Sequence, residues 1–131
     1  MIRFADTFYF MALLNRRDSA HTAATEHSRG PGRVVTTEWV LTELADAMAP
    51  RAKRQRFIDL YRMFRSDPQV EIISFAADLF SQGIDLYARR PDKDWSLTDC
   101  ISFIVMEQQG ITDALTGDHH FEQAGFQALL R

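Results

Sequence analysis

Four short apolar or β-branched runs, Ile2-Arg3-Phe4-Ala5, Val34-Val35-Thr36, Val70-Glu71-Ile72-Ile73 and Thr112 to Thr116, are separated by stretches whose apolar residues recur at helical spacing. Strands that alternate with helices pair in parallel, because each helix carries the chain back across the sheet before the next strand begins. The alternation predicts an α/β fold with a parallel sheet covered on both faces. Helices are expected from Thr7 to Asn15, from a capping residue in Arg16-Arg17-Asp18-Ser19 through His27, and from Thr37 to Ala49, where Pro50 stops the third. Others are expected from Ala52 to Phe64, from about Ala76 to Arg89 with Ser74 as cap, and from Ser96 to Gln109 before Gly110. Phe126 to Leu130 offers a last strand. A chain of 131 residues is long enough for one well-filled core, so one domain spanning residues 1–131 is expected.

Against this frame four acids stand out. Asp6 follows the first run and Asp118 follows the last, positions that a parallel sheet puts at the carboxyl ends of its strands, where α/β folds bind ligands. Glu43 adjoins the apolar stripe Val40, Leu44, Ala47 of its helix. Asp99 opens a helix, Cys100 to Met106, that is apolar nearly all round. Each acid has a plain structural explanation: Asp6 as a helix N-cap, Asp118 as turn chemistry, Glu43 at a wetted edge, and Asp99 as the last member of a capping box begun by Ser96. Together they point to one convergent cluster. Carboxylates that must stay ionised side by side call for a divalent cation to offset their repulsion.

The stretches Phe4-Ala5-Asp6-Thr7, Val40-Leu41-Thr42-Glu43-Leu44, Asp94-Trp95-Ser96-Leu97-Thr98-Asp99-Cys100 and Ala114-Leu115-Thr116-Gly117-Asp118-His119-His120-Phe121 resemble the four motif blocks of the PIN-domain ribonucleases, in order and across nearly the whole chain. The size is similar to that of the VapC toxins of toxin–antitoxin pairs. The resemblance implies a three-layer α/β/α sandwich with a short, mostly parallel sheet. It also implies an endoribonuclease that hydrolyses phosphodiester bonds with Mg²⁺ or Mn²⁺ at Asp6, Glu43, Asp99 and Asp118. Its partners would be an RNA substrate and an antitoxin protein, with room for a homodimer. The chain departs from the pattern at Phe8, where many such toxins carry Ser or Asn, and at Gly117, where a further ligand often stands.

Mg²⁺ is a hard cation that prefers oxygen, which suits four carboxylates and disfavours a Cys or His cage. Asp6 and Asp99 are assigned to the central metal, Asp118 and Glu43 to a second metal or to the attacking water. Thr98 and Thr116 are candidates to hold the carboxylates from behind. His119 and His120 are expected to point apart and either to remain at the surface or to support the metal ligands from behind. Arg16, Arg17, Arg51, Lys53, Arg54 and Arg56 form local positive charge that could grip phosphates, although a net charge of -3 excludes a generally basic nucleic-acid binder. Exposed residues among Phe8, Phe10, Phe57, Tyr61 and Phe64 could dock a partner peptide, although core packing is the expected fate of most of them. Cys100, the single cysteine, excludes an internal disulfide and reads as a buried thiol. No apolar run approaches the roughly 20 residues of a membrane span, and an acid at position 6 comes too early for a signal-peptide core, so a cytoplasmic protein is expected. The competing reading is a PIN-like module that binds RNA or protein without cutting.

Overall fold

The computed structural model describes residues 1–131. Five strands, β1 (Ile2–Ala5), β2 (Arg33–Thr37), β3 (Val70–Ile73), β4 (Asp113–Leu115) and β5 (Gln127–Ala128), form one sheet in the order β3-β2-β1-β4-β5, and all four pairings are parallel. Seven helices connect them: α1 (Thr7–Leu14), α2 (His21–Arg29), α3 (Glu38–Ala47), α4 (Arg51–Ser66), α5 (Ala77–Arg89), α6 (Leu97–Gln109) and α7 (His119–Gln123).

The strand order reverses at β1, which has β2 on one side and β4 on the other. Such a switch point leaves a crevice outside the carboxyl ends of the two diverging strands, because their connecting helices leave in opposite directions. Ala5 pairs with Leu115 at that edge, so the residues that follow each strand, Asp6 and Thr116, emerge side by side.

Successive side chains of β1 point to opposite faces, and this sorts the core. Phe4 meets Phe121 of α7 on one face, while Arg3 reaches the end of α2 on the other. Buried Phe103 of α6 packs its ring edge-on to Trp95 and Phe121 at 5.0 and 4.9 Å between centroids, tying α6 to α7. Between α5 and α6 the backbones come so close that a Cβ on Gly83 would lie 2.4 Å from Ile101 Cγ1, which requires glycine there.

Two helix starts differ from expectation. Ser74 does not cap α5: the Phe75 amide donates to Glu38 Oε1 at 2.7 Å, which holds the chain extended until Ala76. The second helix starts at His21, because the Asp18 carboxylate takes the Ala20 amide at 2.9 Å and keeps residues 18–20 in a turn. The last strand is short, but the chain beyond it stays on β4, with Leu129 N donating to Ala114 O. Phe10 and Phe64 are core residues and Phe8, Phe57 and Tyr61 pack against the core. The exposed aromatic surface lies instead on Phe75, Phe80 and Tyr87, in and just before α5. No helix is long and apolar enough to cross a membrane.

Candidate active site

Asp6 leaves β1 at the N-cap position of α1 yet makes no capping bond; its Oδ2 accepts from the Thr116 hydroxyl at 2.9 Å. Thr116 is fully buried and accepts in turn from the Asp118 amide at 3.0 Å. One hydroxyl therefore fixes two of the acids, and it does so because parallel pairing of β1 and β4 brings the two strand ends level. Asp118 caps α7 through the His120 amide at 2.9 Å, and His120 Nδ1 donates to Asp99 Oδ2 at 3.1 Å.

Asp99 has the capping box read from the sequence: Ser96 Oγ accepts from the Asp99 amide, and Asp99 Oδ2 accepts from the Ser96 amide. The cap leaves the carboxylate available to His120 as well, so capping and convergence are not alternatives. Glu43 sits on α3, whose start is set by Thr37 accepting from the Val40 amide, and Thr36 pins the strand end below it by donating to Ala5 O. The Glu43 side chain is exposed and its Oε1 accepts from Thr7 Oγ1 at 2.6 Å. Thr7 adjoins Asp6. Two runs of hydrogen bonds link the four acids, Glu43 with Thr7 and Asp6 through Thr116, Asp118 and His120 to Asp99, and they meet at the peptide bond between Asp6 and Thr7.

No Lys or Arg forms an ion pair with any of the four. Burial, with the added charges of Asp99 and Asp118, pushes the Asp6 carboxyl up to about 7, against the Thr116 bond that favours its ionised form. Asp99 is raised too, by burial first and by Asp118. Behind them Cys100 is buried and its thiol is pushed up to about 11, the state of an inert core cysteine.

Several expectations need correction. His119 and His120 do not point apart: their ring centroids lie 4.5 Å apart, because both lean back over the Asp118 carboxylate at the start of α7. The donor atoms of Asp118, His119 and His120 fall within 4.8 Å of one another, a set with two nitrogens that suits a softer metal than Mg²⁺. Thr98 holds no carboxylate; its carbonyl accepts from Ser102. Arg54 and Arg56 are partly used inside the fold, donating to Ala49 O just past the end of α3 and to Leu14 O at the last residue of α1. Gly117 faces the Phe8 ring, and a Cβ there would lie 2.4 Å from Phe8 Cζ, so the two departures from the motif form one complementary contact. Thr7 was not singled out in the sequence, because a threonine opening a helix carries no signal of its own.

The acids do not line either of the two largest cavities. One, of about 990 Å³, lies by Tyr87, Arg90 and Trp95, and the other, of about 850 Å³, lies between the sheet, α1, α2 and α4. Size marks neither as the reaction site, since a polymer phosphate needs an accessible edge more than an enclosed volume.

Replacing Thr116 by Val keeps the shape while removing a donor and an acceptor. The Asp118 amide would lose its partner at a cost of about 1–3 kcal/mol in stability. Misplacing the carboxylates should lower any activity that depends on them roughly 10- to 100-fold. Thermal melts and cleavage rates check this, and Thr116→Ser, which restores the hydroxyl, should recover most of both.

A PIN domain family model matches residues 3–127 of the chain. The sequence is 31% identical over 124 residues, 94% of each protein, to the 23S rRNA-specific endonuclease VapC20 of Mycobacterium tuberculosis. The fold matches the crystal structure of that protein, described as a Sarcin-Ricin loop cleaving toxin, with a TM-score of 0.85, 29% identity and 96% of each chain covered. It also matches the structure of VapBC2 from Rickettsia felis bound to a promoter DNA fragment, at a TM-score of 0.69 and 17% identity, over 98% of this chain and 96% of that one.

Proposed function

The chain belongs to the PIN domain family, and from that premise we propose that it is a metal-dependent endoribonuclease, the toxin of a toxin–antitoxin pair, whose catalytic unit spans the whole chain. Asp6, Glu43, Asp99 and Asp118 would hold Mg²⁺ or Mn²⁺. The observation that carries this reading is a buried carboxyl, Asp6, repelled by Asp99 and Asp118, with no Lys or Arg paired to any of them and only the histidines of α7 beside Asp99 and Asp118. A protein gains nothing in stability from such a trio. Taken together, the four carboxylates would give an oxygen-rich donor set with unbalanced negative charge, which fits a hard divalent cation.

When bound, the metal supplies a polarised water and a counter-charge for the phosphodiester. The chain's own residues do the positioning. Thr116 orients Asp6 and fixes the Asp118 backbone, Thr7 orients Glu43, and His120 lies against Asp99, contacts that would steady the carboxylates around a metal. Exposed Arg16, Arg17, Arg51 and Lys53 would meet the RNA backbone. Ribosomal RNA, the substrate named for VapC20, is the first to try, and a cytoplasmic location would suit that substrate.

An antitoxin would restrain the enzyme, and apolar Phe80, Ile84 and Tyr87, exposed on α5, leave room for a homodimer. A binding module without catalysis has no use for a repulsive carboxylate cluster beside a phosphate polymer, which favours the enzyme. The test is cleavage of ribosomal RNA by the purified chain: cutting is expected with Mg²⁺ or Mn²⁺ and none in EDTA. Undiminished cutting in the chelator would sink the metal mechanism.

A further inference from the structure

Arg3 is the buried charge that the site does not use. Its side chain, in the middle of β1, is only 3% exposed and pairs with no carboxylate. Nη1 donates to His27 O at 3.2 Å and lies 3.4 Å from His27 Nδ1, while Nη2 reaches Pro31 O at 3.5 Å, the outer limit of a hydrogen bond. Nε has no partner. A guanidinium without a counter-ion is costly to bury, and an unmet donor adds to that cost.

The same side chain lines the cavity of about 850 Å³ between the sheet, α1, α2 and α4, a volume within the roughly 300–1,000 Å³ usual for small-molecule sites. Its other walls are largely apolar, with Leu13, Leu60, Phe64 and Val70 among them. Tyr9 also lines it. Burial pushes the Tyr9 phenol up to about 12, so it stays a donor. The one carboxylate in the wall, Asp67, is committed to the Gln69 amide at 2.8 Å. None of the four acids of the candidate active site lines this cavity.

We propose that this cavity binds a small amphipathic carboxylic acid, its carboxylate on Arg3 and its apolar body between α1 and α4. The planar fork of the guanidinium suits a carboxylate through Nε and Nη2, with the long bond to Pro31 given up in exchange. Apolar walls and a buried cation at one end select against both neutral lipids and compact inorganic anions.

The experiment uses the whole purified protein with octanoate and octanamide, which share a shape and differ in charge. Octanoate should bind at least about tenfold more tightly, as expected for a charge-assisted pair. It should also shift the Arg3 Nε–H resonance in ¹H–¹⁵N spectra, which octanamide should not. Arg3→Met should bind the two probes equally. Equal binding of both by the wild type, or no binding of either, would overturn the proposal and leave Arg3 as a brace for the end of α2. Binding of an acidic peptide alone, with neither small probe bound, would overturn it in favour of a partner's side chain. The spectral arm needs no variant, so poor folding of Arg3→Met leaves the test intact.

Discussion

Asp6→Asn should abolish RNA cleavage and at the same time make the metal-free protein more stable at pH 8. The carboxyl at position 6 is pushed up to about 7 in the folded chain from an ordinary value of 3.8. Between those values the folded state holds a proton that the unfolded chain has released, so stability falls as pH rises through the window from about 4 to 7 and stays low above it. A shift of about 3 units corresponds to at most about 4 kcal/mol, the upper bound on what the substitution recovers. Asparagine keeps an acceptor for the Thr116 hydroxyl. Asp99→Asn should act in the same direction but by less, since its carboxylate also serves Ser96 and His120. Melts in EDTA at pH 5 and pH 8 check both: the wild type should lose stability between them and Asp6→Asn should lose less. A variant that melts well below the wild type at pH 8 would show that Asp6 is structural.

The second large effect is on the scaffold. Phe103→Ala should cost about 3–5 kcal/mol, because the ring is almost fully buried against Trp95, Phe121 and Phe126 and its removal leaves a cavity. For a chain of this size that is a fall of roughly 10–20 °C in melting temperature. Phe121 belongs to α7, which is capped by Asp118 and carries His120. Loosening it should weaken metal binding even where the variant is still folded. Urea denaturation gives the first number and a metal titration at low temperature the second. A fall of under 1 kcal/mol would mean that this aromatic cluster does not anchor α7.

Much of this was legible in the sequence, for identifiable reasons. Val70 to Ile73 is a strand bounded by turn residues, and Ser96 with Asp99 spells a capping box; both depend on local chemistry and both are in the structure. That four acids from distant positions are linked by hydrogen bonds and the Asp6–Thr7 peptide bond follows from the parallel pairing of β1 with β4 and from the helices that return to that edge. What the sequence concealed depends on contacts made across the fold. Ser74 loses its capping role to a bond between Phe75 and Glu38, 37 positions away. Thr7 matters only because Glu43 lies opposite, and the two histidines converge because α7 begins under them. Arg3 sits among strand residues where nothing local shows that its charge will be buried without a partner.

The central claim is that the acids together hold a divalent cation, and Mn²⁺ binding measured by calorimetry at pH 8 tests it most directly. Wild type should bind Mn²⁺, and Asp6→Asn, Asp99→Asn and Asp118→Asn should each weaken binding by at least about tenfold, the low end of the loss expected when a metal site is disturbed. Binding that is unchanged in all three variants, or absent from the wild type, would contradict the account.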